Sequence, residues 1–407
     1  MQPNMPKTIQ EESLERHATL RGKLETISKS PVNSMKDLSL LYSPGVAAPC
    51  LEIVKDPENA YKYTSKSNTV AVVSDGSAVL GLGNIGPLAA MPVMEGKALL
   101  FKEFADINAV PICLDTQDDA EIIRTVKLLA PNFGGINLED IAAPRCFAIE
   151  RALQKELDIP VFHDDQHGTA ICTLAALINA SKVVGKPIKE MSIVINGIGA
   201  AGSAIADMLL EYGVSELLLV DRNGILNPHD SNTMLNENHT GLALTTNRFG
   251  LKGELDEAIV GADVFIGVSK AGVLTHHMIT EMAEKPIIFA MANPEPEIMP
   301  DAAKAAGAFI VGTGRSDFPN QINNVLAFPG IFKGALEARV PRITDEMKFA
   351  AAHALANIIP ENALSPDNII PSALDKTVAQ VVANAVVEVA RKGESHARFT
   401  PIDNIGR

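Results

Sequence analysis

The chain has 407 residues, 46% of them hydrophobic, and a formal net charge of −14. This length accommodates two or three domains with substantial cores. The acidic balance, without any basic run, argues against nucleic acid and anionic membrane surfaces as partners. The sequence shows neither an apolar run long enough to span a membrane nor the pattern of a signal peptide. The four cysteines have no Cys-x-x-Cys spacing, so we expect reduced thiols in a cytoplasmic protein.

The N-terminal part of the chain is predicted to be helical up to a first buried strand. Residues 10–30 are expected to form one helix, and residues 69–73 the strand. Tyr42 lies at a Pro-Gly turn, where a tyrosine is more often a packing residue than a catalyst. Lys97 lies in an otherwise apolar helix, from which a lysine usually extends to solvent. If Lys97 is buried instead, desolvation lowers its pKa and makes it a usable base.

Residues 81–86, GLGNIG, match the letters of a dinucleotide-binding fingerprint. Pro87 and Pro92 follow closely, so we expect no helix of proper length there and reject the match. A glycine-rich turn that lets the backbone approach a ligand or another segment stays open as an interpretation.

Acid pairs follow two predicted strands at 134–138 and 159–163. Glu139 and Asp140 end the first strand, Asp164 and Asp165 end the second, and each pair opens a helical pattern. Ligands of open α/β sheets collect at the carboxyl ends of the strands. Carboxylates packed so closely repel one another unless a cation lies among them, so the pattern predicts an oxygen-ligated Mg²⁺ or Mn²⁺ site. The alternative is that these acids only cap two helices.

A second ligand site is predicted where a buried strand at 191–195 runs into a glycine-rich turn. Gly197, Gly199 and Gly202 follow the strand and lead directly into an amphipathic helix, which is the context of a dinucleotide-binding turn. The next strand, at 216–220, ends in Asp221, near the spacing expected for a ribose-binding acid. Asp221 favours NAD over NADP, but the adjacent Arg222 is able to pair with a 2′-phosphate, so NADP stays possible.

The remaining sequence continues the α/β alternation. Strands are predicted at 262–267, 287–290 and 308–311, a loop at 226–249, and closing helices at 344–358 and 373–392. Asparagines in loops usually form turns, but Asn293, Asn323 and Asn324 fall after strands, where a bound cofactor would meet them. The predicted fold class is α/β, with an N-terminal α/β substrate and metal domain (1–160) and a Rossmann-type doubly wound NAD-binding domain (161–390). Residues 391–407 form a predicted C-terminal tail.

A set of motifs in fixed order resembles the malic enzymes of the short bacterial type. The motifs are LYSPGVAAPC, SDGSAVLGLGNIG, EGKALLFKEFADINAVPICLDT, GGINLEDIAAPRCF, VFHDDQHGTA, NGIGAAG, MANPEPE and GRSDFPNQINNVLAFPG. The resemblance implies oxidative decarboxylation of (S)-malate to pyruvate and CO₂, with reduction of NAD or NADP and dependence on Mg²⁺ or Mn²⁺. It also implies a homodimer or a larger homo-oligomer, in which Tyr42 is able to serve a neighbouring subunit.

The resemblance further assigns roles to individual positions. Tyr42 is the implied general acid, and Lys97 is the implied general base, with a pKa lowered by burial and a nearby cation. The implied metal ligands are Glu139, Asp140 and Asp165, with Asp164 in support. The implied cofactor contacts are Gly197, Ile198, Gly199, Ala200, Ala201, Gly202, Asp221 and Asn293. The implied substrate contacts are Lys97, Asn293, Asn323 and Asn324.

One position departs from the pattern of the long-type enzymes. They carry an arginine that grips a substrate carboxylate where this chain has Ala78, so backbone amides or Ser77 are expected to take its place. Three other functions stay open: a malolactic enzyme, a metal-dependent oxaloacetate decarboxylase, and a non-catalytic sensor of NAD redox state.

Overall fold

The computed structural model describes residues 7–79, 81–230, 232–233 and 236–397, which are built around two sheets, one parallel and one mostly parallel. The first sheet has the strand order β2-β1-β3-β4. Its strands are β1 (Thr69–Ser74), β2 (Asn108–Cys113), β3 (Gly135–Leu138) and β4 (Val161–His163). β4 begins directly after the predicted domain boundary at residue 160 and pairs with β3. The boundary itself stays a prediction.

The second sheet has six strands in the order β10-β9-β8-β5-β6-β7, and β7 is antiparallel to β6. Its strands are β5 (Ser192–Asn196), β6 (Glu216–Asp221), β7 (Gly224–Ile225), β8 (Val264–Gly267), β9 (Ile287–Ala290) and β10 (Ile310–Thr313). The chain runs outward from β5 to β6, then returns to β8 on the other side of β5. This reversal is the switch point at which doubly wound sheets bind ligands, so the predicted fold class is confirmed.

Sixteen α-helices cover and connect the sheets in the described part of the chain. Those of the first half are α1 (Ile9–Leu20), α2 (Met35–Leu41), α3 (Ala47–Lys55), α4 (Asn59–Tyr63), α5 (Gly86–Ala105), α6 (Asp119–Leu129), α7 (Arg145–Glu156) and α8 (Asp164–Val184). Those of the second half are α9 (Ala200–Tyr212), α10 (Glu237–Thr245), α11 (Leu255–Ala258), α12 (His276–Thr280), α13 (Pro300–Ala305), α14 (Phe328–Ala338), α15 (Asp345–Ala356) and α16 (Val378–Ala397). No described helix combines the length and apolar character needed to cross a membrane.

One apolar core extends across both sheets. Val70 and Val72 of β1 and Ile193 and Ile195 of β5 belong to it, while the alternate residues of these strands face separate smaller cores. Nine of the fourteen buried residues of α8 belong to this core. Phe328 of α14 packs edge-on against Phe101 of α5, with 4.7 Å between ring centres, and so ties the C-terminal helices to the first sheet.

Four local predictions differ from the structure. The predicted helix over 10–30 is wrong beyond Leu20, because Arg21 and Gly22 adopt left-handed backbone that ends α1. Helix α5 starts at Gly86 and continues through Pro92, so the prolines do not prevent a long helix. The predicted loop over 226–249 contains α10, whose first turn is capped by the Asn236 side chain. Helix α16 extends past the predicted boundary at residue 390, and residues 398–407 of the predicted tail lie outside the described residues.

Candidate active site

The predicted metal ligands converge at the carboxyl ends of β3 and β4. The two strands pair with Leu138 opposite His163, so the acids that follow them meet at one edge of the sheet. One ligand atom from each of Glu139, Asp140 and Asp165 lies within 4.8 Å of the others. Asp140 has a positive φ of 53°, and its backbone N–H donates to Asp165 Oδ2 at 2.8 Å, which fixes the turn. Capping of separate helices does not require this convergence.

Lys97 of α5 is buried against the same acids. Its Nζ lies 2.6 Å from Asp164 Oδ2 and 2.8 Å from Glu139 Oε1, and 4.3 Å from the centre of the Phe328 ring. Burial alone lowers the pKa of Lys97, but the carboxylates of Asp164, Glu139 and Asp165 outweigh burial and raise that pKa above its ordinary value. The acids that hold the lysine thus stabilise its charged form, and the expectation of a pKa lowered by burial together with a bound cation stays a prediction.

The acids carry more negative charge than Lys97 neutralises. Burial raises the pKa of Glu139 to about 8 and that of Asp164 to about 6, although Lys97 opposes both shifts. Asp164 Oδ1 is buried without a hydrogen-bond partner. A divalent cation would offset this excess charge, and the all-oxygen donor set of the three clustered carboxylates suits Mg²⁺ or Mn²⁺. The residues present fit the predicted metal.

The glycine-rich turn after β5 has the close packing that a dinucleotide-binding turn needs. Gly197 has a φ of +102°, and a side chain there would collide with the carbonyl oxygen of Val268. A side chain at Gly202 would collide with the carbonyl oxygen of Gly197. Gly199 caps α9, which starts at Ala200 and directs its N-terminus toward the turn. This cradle of backbone N–H groups fits a pyrophosphate.

A single cavity of about 530 Å³ joins the metal cluster to the glycine-rich turn. Asp140 and Asp165 line one part of it, and Gly199, Ala200 and Ala201 line another. The predicted contacts Asn293, Asn323 and Asn324 also line the cavity. The volume is in the range of sites for small molecules and cofactors. The predicted metal site and the predicted dinucleotide-binding turn, which come from separate stretches of sequence, thus border the same cavity.

The glycine-rich segment 81–86 lies at the edge of this cavity. Gly81 lines it, and a side chain at Gly81 would collide with the carbonyl oxygen of Asn293. The interpretation that this turn allows backbone to approach another segment is confirmed. Ala78 also lines the cavity, and among the described lining residues there is no lysine or arginine. The Ser77 hydroxyl is already engaged, since it donates to Asp75 Oδ1 at 2.5 Å and accepts from Ala142 N–H at 2.9 Å.

Several predicted residues do not line the cavity, among them the buried Lys97, Glu139 and Asp164. Tyr42 and Asp221 are also outside its lining. Tyr42 follows α2, and its side chain is 68% exposed. Asp221 ends β6, on the side of β5 opposite β8, where the adenosine half of a dinucleotide belongs. Ile198 is buried in the shared core, so its backbone rather than its side chain is available to a cofactor.

Sequence reasoning missed several residues that shape the site. Thr169 and Cys172 of α8 line the cavity, and their spacing from Asp165 along one helix was the available signal. Glu150 of α7 is buried and accepts hydrogen bonds from the His163 N–H at 2.9 Å and from Gln166 Nε2 at 3.0 Å, bracing the turn that carries Asp164 and Asp165. Nothing in the sequence around Glu150 distinguishes it from a solvent-exposed helical acid.

Comparisons with known proteins agree with this geometry. The family model of the malic enzyme N-terminal domain matches residues 21–154, and that of the malic enzyme NAD binding domain matches residues 166–392. The chain is 57% identical over 386 residues to the bifunctional malic/malolactic enzyme of Bacillus subtilis, covering 94% of this chain and 93% of that protein. It is also 57% identical over 382 residues to the NAD-dependent malic enzyme of Geobacillus stearothermophilus, covering 94% of this chain and 79% of that protein.

A solved structure extends the similarity to three dimensions. The NAD-dependent malic enzyme of Thermotoga maritima superposes with a TM-score of 0.89 at 54% identity, covering 92% of this chain and 98% of that one. The two family models follow one another along the chain in the order that the sequence predicts for the two domains. The chain belongs to the malic enzyme family.

Proposed function

We propose that this protein oxidatively decarboxylates (S)-malate to pyruvate and CO₂ with reduction of NAD or NADP. The observation that carries the proposal is the cavity shared by the acid cluster and the glycine-rich turn. A hydroxy acid held at the carboxylates would lie within reach of a dinucleotide held at the turn. Family membership and relatives that are NAD-dependent and NADP-dependent malic enzymes support the same reaction.

Glu139, Asp140 and Asp165 would hold the divalent cation, with Asp164 in support. When bound, the cation would orient the 2-oxygen of malate and stabilise negative charge that develops on that oxygen, and NAD would accept the hydride. Lys97 would contact the substrate and, as the neutral amine, take the proton of the 2-hydroxyl. We expect a bound cation to favour this neutral form by lowering the pKa that the acids alone raise. Asn293, Asn323 and Asn324 orient malate and the nicotinamide through neutral amides. The described lining contains no arginine, so we propose that neutral amides such as these hold the second malate carboxylate.

Tyr42 is proposed to protonate the enol carbon, and its location supports catalysis between subunits. The segment from α1 to α4 contains no buried residue and exposes many large apolar side chains, including Leu51 (60%) and Val54 (80%). Such an area favours self-association. We infer a homodimer or larger assembly in which Tyr42 reaches the cavity of a neighbouring subunit. Four free cysteines support a cytoplasmic location.

The reaction is tested by following NADH absorbance with malate, Mn²⁺ and each cofactor in turn. EDTA is expected to abolish turnover and Mg²⁺ or Mn²⁺ to restore it; turnover in metal-free buffer would contradict the carboxylate site. Asp221 supports a preference for NAD, which the same assay measures. Sharing of Tyr42 between subunits is tested by co-expressing Tyr42→Ala and Lys97→Ala chains. Mixed dimers regain activity only if the tyrosine acts on the neighbouring site.

A malolactic reaction is the second candidate, because the Bacillus subtilis relative is a bifunctional malic/malolactic enzyme. The acid cluster and cofactor turn would serve it equally, but the reduced cofactor would stay bound and lactate would be released. Product analysis with lactate dehydrogenase separates the two reactions. An oxaloacetate decarboxylase would release CO₂ from oxaloacetate without net change in NADH. A redox sensor without turnover would have no use for the buried Lys97.

A further inference from the structure

A fully buried carboxylate, Glu297, connects two loops of the second sheet and has no role in the reaction as described. Its Oε1 accepts the backbone N–H of Ser269 at 2.8 Å, in the loop after β8. Its Oε2 accepts the backbone N–H of Ala292 at 3.0 Å, in the loop after β9. The side chain has 0% exposure, so these donors replace the water that a carboxylate would otherwise bind.

Both loops line the active-site cavity, whereas Glu297 does not. Ser269, Ala292 and Asn293 are lining residues. Asn293 is the next residue after Ala292, whose backbone N–H donates to Glu297. The Glu297 side chain therefore links the loop after β9, which carries Asn293, to the loop after the neighbouring strand β8.

The connection continues to the glycine-rich turn. The Ser269 hydroxyl donates to Asn196 Oδ1 at 2.5 Å, and Asn196 immediately precedes Gly197. A side chain at Gly267, the last residue of β8, would collide with the Glu297 carboxyl group. The ends of β8 and β9 thus pack against this carboxylate, and the end of β5 is linked to it through the Ser269 hydroxyl. Hydrogen bonds to a charged acceptor are stronger than neutral ones, so the carboxylate holds the loops after β8 and β9 firmly together.

We propose that Glu297 is a positioning residue that fixes Asn293 and Ser269 against the nicotinamide half of the cofactor. With the pyrophosphate at the turn after β5 and the adenosine toward β6, the nicotinamide falls at the ends of β8 and β9. The inference rests on the proposed function for the role of Asn293 toward malate. Its effect on cofactor binding is independent of that function.

Glu297→Gln tests the proposal, because whichever way the amide turns, one of the two N–H donors loses its acceptor. The dissociation constants of NAD⁺ and of ADP-ribose, which lacks nicotinamide, are measured by calorimetry without malate. We expect NAD⁺ to bind about tenfold more weakly and ADP-ribose to change by less than about twofold. With malate, kcat/KM is expected to fall by about 10²-fold, as for misplaced contact groups.

Asp263→Asn is the matched control. Asp263 lies just before β8, at the opposite end of the same sheet, and accepts the Ser192 N–H at 2.8 Å and Lys186 Nζ at 2.7 Å. Its replacement is expected to lower the unfolding temperature as Glu297→Gln does, but to leave both dissociation constants unchanged. Equal losses of NAD⁺ and ADP-ribose affinity in Glu297→Gln, or unchanged NAD⁺ affinity, would overturn the proposal.

A variant that keeps the charge covers the case in which Glu297→Gln does not fold. Glu297→Asp shortens the side chain, so the carboxylate cannot reach both N–H groups. We expect a loss of NAD⁺ affinity of about threefold with ADP-ribose unaffected. Unchanged NAD⁺ affinity in folded Glu297→Asp would overturn the proposal. If the protein proves inactive with malate while these binding results hold, the proposed reaction fails and the positioning role stands.

Discussion

Replacement of Lys97 by methionine separates its contribution to stability from its part in catalysis. The side chains of Lys97, Glu139 and Asp164 are only 8%, 5% and 0% exposed, so this is a buried charge group. Methionine keeps the length and apolar character of the lysine stem but removes the ammonium. Glu139 and Asp164 then lose the Lys97 ammonium group, which lies within 2.8 Å of both carboxylates.

The expected cost follows from this burial. Breaking a buried ion pair by removing one partner destabilises a protein by about 3–5 kcal/mol. In EDTA, we therefore expect the free energy of unfolding of Lys97→Met to fall by about that amount. A divalent cation at roughly 100 times its dissociation constant would return about 2.7 kcal/mol, because it binds the folded state alone. Turnover with malate should fall by about 10²–10⁴-fold even with the cation present.

Urea unfolding followed by circular dichroism, with and without Mn²⁺, measures the first two quantities. Lys102→Met is the control on the same helix: Lys102 is 48% exposed and pairs with Asp106, so its loss should cost less than about 1 kcal/mol. Turnover of Lys97→Met equal to that of the unaltered protein would remove Lys97 from the mechanism. Unchanged stability in EDTA would refute the view that the acids depend on this lysine.

Asp221→Ala is expected to lower the KM for NADP by about tenfold, because the charge that repels a 2′-phosphate is lost, and to raise the KM for NAD. An unchanged ratio of the two KM values would show that Asp221 does not contact the adenosine ribose. Burial raises the pKa of the Cys146 thiol to about 12. Iodoacetamide at about pH 8 should therefore label the exposed Cys50 long before Cys146, as peptide mass spectrometry would show. Burial alone would raise the pKa of Glu150, but His167 at 3.0 Å lowers it from 4.5 to about 2. A carboxyl group whose pKa is lower in the folded state stabilises the protein above its unfolded pKa. The unfolding free energy should thus drop by up to about 3 kcal/mol as the pH falls from 4.5 toward 2, and Glu150→Gln should show a smaller drop.

The sequence was most informative where chemistry depends on position along a strand. The acids after β3 and β4 and the glycines after β5 could be predicted as ligand sites. In an α/β alternation the strands are parallel, so the residues that follow them lie at the carboxyl edge of a sheet, where ligands bind. These features need only local patterns and the α/β alternation. The convergence of both sets on one cavity does not follow from that rule, because the acids and the glycines belong to different sheets and meet only through the packing of one sheet against the other.

Properties that depend on packing between distant segments could not be predicted in this way. The direction of the Lys97 pKa shift is set by how closely α5 approaches Asp164 and Glu139, which the sequence of α5 does not encode by itself. Helix α10 was missed because few of its residues are apolar, and only Leu242, Ala243 and His239 are buried. The separation of Tyr42 from the cavity reflects the arrangement of α1–α4, a segment without buried residues in the single chain.

The apolar core shared by the two sheets limits how the enzyme can exchange its small molecules. Helix α8 starts at the acids and continues for 21 residues through that core, so it binds both halves of the molecule together. Swinging the halves apart would expose valines, isoleucines and phenylalanines to water at a prohibitive cost. We therefore expect the exchange of malate and pyruvate to involve movements that leave this core closed, including movement at the rim, where the backbone at Gly81 meets Asn293.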